Sequence, residues 1–130
     1  MGRAKGRAGA IITIGFLGAF ISIPNVAYKL AKAGIHAFTK QLAIQNAEYG
    51  IRANSVLPWS IDTPMAIDVR VRMGGQNSDE LARQRDAGVP LRHKMGTAWD
   101  VANAALFLVS DEANFITGAS LVVDCGVSSR

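Results

Sequence analysis

A chain of 130 residues has room for one domain, 1–130, with a single core that buries about two-thirds of its unfolded surface. With 49% hydrophobic and 18% charged residues, no low-complexity run and no internal repeat, it reads as globular rather than disordered or solenoidal. Its net charge of +4 is dispersed and lacks an interleaved aromatic series, which argues against a nucleic-acid partner; the lone Cys125 excludes an intrachain disulfide and fits a reducing, cytoplasmic setting.

Residues 1–8, with Arg3, Lys5 and Arg7, form a basic, flexible lead to the apolar run 10–23. The pair imitates a secretory signal, but no small-x-small cleavage pattern follows and the run is too short to span a bilayer, so no membrane association is expected. "AIITI" (10–14), between Gly9 and Gly15, reads instead as a strand covered on both faces. Pro24 opens a long helix over 25–49, which Gly50 ends. Its apolar positions make two stripes, Val26, Leu30, Ala33, Ala37, Ile44 and Ala31, Ile35, Phe38, Leu42, one expected on the sheet and one against another helix.

"IRANSVLP" (51–58) is a second strand stopped by Pro58. Residues 66–88 turn polar, with "GGQNS" (74–78) as a flexible break and "DELARQRDAG" (79–88) as an exposed helix, together a lid or surface excursion. Thr97 caps a further helix with Asp100 at N3, and Val101, Ala105, Leu108 and Val109 form its buried stripe. "ITGASLVVD" supplies a last strand after Gly118. Strand, helix, strand, helix, strand with right-handed crossovers gives an α/β, three-stranded parallel sheet with flanking helices, half of a doubly wound, Rossmann-like fold. No Cys or His cluster has metal-ligand spacing, so no metal is expected and His36 and His93 read as solvated or core imidazoles.

Tyr28 and Lys32 stand four residues apart on the long helix and therefore share one face. Together with "AYKLAKAG", "GIRANSVLP", "IDTPM", "GTAWDVANAALFLVSDEANFITG" and "LVVD", in that order, they make the chain resemble the carboxyl-terminal half of the short-chain dehydrogenase/reductase family over residues 9–126. The resemblance implies NAD(P)-dependent interconversion of small-molecule alcohols and ketones, with NAD or NADP as cofactor. Tyr28 would be the proton donor or acceptor, and Lys32 would bind the nicotinamide ribose. A phenol ionises near about pH 10 and a neighbouring ammonium favours the phenolate, which suits that division of labour. Pro58, Ile61 and Thr63 match the loop that holds the nicotinamide carboxamide; Thr63 could equally cap the segment starting at Pro64. Asn54 is expected to be structural.

The chain also departs from the family pattern. No Gly-rich turn of the G-x-x-x-G-x-G kind occurs in it, so the resemblance implies poor dinucleotide binding by this chain alone and little or no activity as a truncated enzyme. Gly15 and Phe16 stand where the family has its substrate-positioning serine, Trp59 replaces the glycine after Pro58, and Cys125 replaces a glycine after Asp124. All map to the carboxyl ends of the three predicted strands, where open parallel sheets bind ligands. Phe16 and Trp59 either fill an empty cleft, with Trp59 mostly buried, or build a new apolar pocket. The expected partners are a second copy of the chain or a complementing amino-terminal half pairing with the edge at 10–14. The alternative function is a non-catalytic oligomerising or ligand-binding module.

Overall fold

The short runs that begin at or just after Gly9, Gly50 and Gly118 become strands here, and their order across the sheet follows their order in the chain. In the computed structural model, which describes residues 9–20, 26–75 and 77–130, β1 (Gly9–Ile14), β2 (Ile51–Pro58) and β3 (Ser120–Val123) pair in parallel in the order β1-β2-β3. β2 is central, and its residues 53–57 are consecutively buried, as a strand covered on both faces must be. The architecture is α/β, one half of a doubly wound, Rossmann-like sheet. The basic lead and Pro24 lie outside the described residues.

The register fixes where the helices sit. Thr13, Ser55 and Ser120 form one row across the sheet. Helix α1 (Val26–Asn46) meets that row: Thr13 Oγ1 lies 2.7 Å from Thr39 Oγ1 and 3.0 Å from Ser55 Oγ, while Ser120 Oγ lies 2.7 Å from His36 Nδ1. Arg52 and Asn54, of opposite parity on β2, point to the other face. From there Arg52 donates to the carbonyls of Leu108 at 2.7 Å and Ser110 at 3.0 Å, at the end of α4 (Ala98–Val109). The helices therefore cover opposite faces. Both connections step the same way across the sheet, so their hands are opposite, and the expectation of two right-handed crossovers fails. The rule governs compact βαβ units; the β2-to-β3 connection runs through three helices before rejoining the sheet.

Neither expected stripe of α1 faces the sheet as drawn. The fully buried positions are Thr39 and Ala43, from neither stripe, while Val26, Leu30 and Ile44 are 77%, 73% and 76% exposed and Phe38 is 58% exposed. Hydroxyls on the sheet select the helix face: a buried Thr or Ser needs partners, and Thr39 and His36 on this face of α1 supply them to Thr13 and Ser120. The helix ends at Asn46, a short 3-10 turn follows, and Gly50 reverses the chain at φ 71°, a conformation that favours glycine.

On α4, Val101 and Ala105 are half-buried and Leu108 is buried, but Val109 is 43% exposed, because one residue beyond Leu108 is a 100° turn away from the sheet. The Asp100 carboxylate accepts from the Thr97 N–H at 2.6 Å and hydroxyl at 2.9 Å, tying down the start of the helix.

The polar excursion differs from a bare surface helix. It holds α2 (Asp68–Gly74) and α3 (Ser78–Ala87), the latter beginning inside the expected break because Asn77 Oδ1 accepts from the Asp79 and Glu80 N–H groups. Ile67, Leu81, Val89 and Met95 form a small core beneath these helices, with Cys125 packed on it. Cys125 keeps the left-handed backbone, φ 52°, at its former-glycine position. Among the described residues no helix is long and apolar enough to cross a membrane.

Candidate active site

The carboxyl ends of the strands carry the site. α1 starts at Val26, so Tyr28 occupies its first turn and Lys32 the next, both partly buried. The Lys32 ammonium donates to the Ile14 carbonyl at 3.0 Å, which pins it to the end of β1, and it lies 5.8 Å from the Tyr28 ring centroid.

Phe16 joins this pair to the second strand end. Its ring meets Tyr28 edge-on, with centroids 5.2 Å apart and planes at 68°, and stacks on Trp59 at 5.1 Å and 21°. The Trp59 N–H donates to the Val123 carbonyl at 3.1 Å, tying the ends of β2 and β3 together, and Gly15 N–H donates to Val56 O at 2.8 Å. Tyr28, Lys32, Phe16 and Trp59 are thus one cluster across the rim. Trp59 is mostly buried, as expected: its indole covers Phe16 with one face, and the rim position leaves only a minor part accessible.

Pro58 ends β2 beside the cluster, whereas Ile61 and Thr63 have other partners. Ile61 bridges to Gly96, with Asp62 N–H donating to Gly96 O at 2.8 Å and Gly96 N–H to Ser60 O at 3.0 Å. Thr63 Oγ1 accepts from the Ala66 N–H at 3.3 Å, the capping role. It also lines a cavity of about 350 Å³ with Asp62, Ile67, Asp68, Ser78 and Asp79.

Asn54 is fully buried and structural: its Nδ2 donates to Ile116 O at 2.9 Å and its Oδ1 accepts from Ala119 N–H at 2.9 Å. Burial pushes the Asp124 carboxyl up, but hydrogen bonds from the Ser128 hydroxyl and from the Ser128 and Gly126 N–H groups outweigh it and hold the group below its ordinary value. Asp86 is held low chiefly by the Met95 N–H, and Asp100 by Thr97. His36 is lowered by burial and by the Lys40 ammonium, and the ring of Phe20 meets it edge-on at 4.8 Å. Sequence reasoning missed the His36–Ser120 pair, and no local pattern could reveal partners so far apart in the chain. The Phe16–Trp59 stack did leave a trace, as two bulky residues where the family pattern has small ones.

A family model described as enoyl-(acyl carrier protein) reductase matches residues 1–128. The short-chain dehydrogenase srdC of Neurospora crassa is 36% identical over 121 residues, covering 92% of this chain and 42% of its own. The chain belongs to the short-chain dehydrogenase/reductase family. Two solved structures superpose closely: the aldohexose dehydrogenase of Thermoplasma acidophilum (TM-score 0.87, 32% identity, 95% of this chain and 49% of that one) and ElxO with NADP bound (TM-score 0.78, 30% identity, 94% and 47%). The chain thus spans about half the length of the proteins it matches.

Proposed function

We propose that this chain carries the acid/base part of an NAD(P)-dependent oxidoreductase that interconverts a small-molecule alcohol and its carbonyl compound. The observation that carries the reading is the placement of Tyr28 and Lys32 on one face of α1 with the ammonium anchored to the end of β1. Tyr28 would pass a proton to the carbonyl oxygen on reduction and take it back on oxidation. Lys32 uses one of its three N–H donors on Ile14 and has donors left for the ribose hydroxyls, so the residues present fit a nicotinamide nucleotide. Bound NAD(P) would supply or accept the hydride. Pro58, Ile61 and Thr63 would line its carboxamide end.

These 130 residues contain no Gly-rich turn to hold a pyrophosphate. The chain by itself would therefore turn over little or no cofactor. The test is a cofactor titration and NAD(P)H oxidation assay of the chain with and without a separately expressed amino-terminal half that supplies that turn. Binding and turnover only in the mixture, lost with Tyr28→Phe, supports the reading. Tyr28-dependent turnover by the chain alone contradicts its expected weakness, and turnover indifferent to Tyr28 contradicts the acid/base assignment.

A second reading, a non-catalytic oligomerising module, is favoured by the exposed outer face of α1 and by β1, whose residues Ile11 and Ile14 are 37% and 45% exposed. Self-association by light scattering together with no cofactor binding in either arm would favour it.

A further inference from the structure

The Phe16–Trp59 pair has a held geometry that the acid/base reading does not use. Phe16 is fixed on three sides: Trp59 stacks on it, Tyr28 meets its edge, and Gly18 lies so close that a Cβ there would come within 2.2 Å of the ring. Gly18 is buried and has no side chain to displace the ring. Trp59 is fixed in turn by its backbone bond to Val123. Both rings nonetheless remain partly exposed at the rim, beside the proposed proton donor.

A side-chain hydroxyl orients a carbonyl compound through one directional hydrogen bond. Neither Gly15 nor Phe16 offers such a donor. A fixed flat ring orients a ligand differently: it favours another flat ring in offset-stacked or edge-to-face contact and gains little directional preference from a puckered aliphatic one. Because Tyr28 touches the same Phe16 ring, a carbonyl attached to a stacked ring is carried beside the phenol.

We propose that the Phe16–Trp59 pair is a stacking wall that selects planar aryl ketones and aldehydes, or the matching aryl alcohols, over aliphatic compounds of the same size. The proposal rests on the acid/base reading for its chemistry, but its test does not require turnover. The probes are acetophenone and cyclohexyl methyl ketone, which carry the same methyl ketone on a flat or a puckered six-membered ring. Their dissociation constants for the 130-residue chain are measured by ligand-observed NMR, with circular dichroism as the check on folding. Acetophenone is expected to bind roughly three- to tenfold more tightly. Phe16→Leu and Trp59→Leu, each keeping apolar bulk without a flat ring, should each reduce that preference towards unity, and Gly18→Ala should do the same by displacing Phe16. Equal binding of both ketones, no binding of either, or a preference that survives both leucine variants overturns the proposal. A preference without Tyr28-dependent hydride transfer in the complemented enzyme leaves the wall standing and removes the oxidoreductase reading; hydride transfer with no preference does the reverse.

Discussion

Replacing Asn54 with Ala removes a side chain that ties β2 to the approach to β3 on both donor and acceptor sides. The amide is 0% exposed, and its two bonds, to Ile116 O and from Ala119 N–H, are each 2.9 Å long. Without it the Ala119 N–H loses its partner, while the Ile116 carbonyl keeps only a 3.4 Å contact from Arg52. One orphaned buried group and one weakened one cost about 3 kcal/mol together. With unfolding entropy near 2.1 cal/mol/K per residue, that lowers Tm by about 11 °C for a chain of this length. Equilibrium denaturation in urea, read at unchanged m-value, gives the loss directly. A cost below about 1 kcal/mol would refute the reasoning, since it would mean that water replaces both bonds.

Arg52→Met should cost about 2 kcal/mol, because the guanidinium satisfies carbonyls at the end of α4, and combining it with Asn54→Ala should cost more than the sum, the Ile116 carbonyl then having lost both donors; a denaturation double-mutant cycle reads the coupling, and strict additivity would contradict it. Stability should fall with acid in two windows. His36, whose pKa is lowered from 6.5, contributes above that value and loses the contribution as pH drops through its folded pKa, and Asp86, Asp100 and Asp124, lowered from 3.8, do the same below 3.8. Chemical denaturation across pH 2–8 checks this, and His36→Gln should remove only the upper window. Trp99 is 77% exposed while Trp59 is stacked and mostly buried, so Trp99→Phe should leave an emission that acrylamide quenches less than in the parent chain; equal quenching would place Trp59 in solvent.

The candidate site was legible from the sequence where its parts are close in the chain or lie at strand ends. Four-residue spacing put Tyr28 and Lys32 on one helix face, and the bulky residues Phe16 and Trp59, where the family resemblance expects a serine and a glycine, marked the rim where the structure stacks them. The partner of Ile61 was not legible, because Gly96 reaches it only after the excursion folds back, whereas the capping role of Thr63 was, its partner Ala66 lying three residues on.

The same boundary runs through the fold. Short runs bounded by glycine or proline set the three strands, and Gly50 set the end of the long helical segment, since these signals are local and act through backbone sterics. Sequence alone could not decide which face of α1 turns inward. Hydrophobic periodicity favoured the stripes holding Leu30 and Phe38, yet the sheet presents Thr13, Ser55 and Ser120, and buried hydroxyls need hydrogen-bond partners more than apolar stripes need cover. That choice, made only when strands distant in sequence align in register, turned Thr39 and His36 to the sheet and left the leucine and phenylalanine facing out.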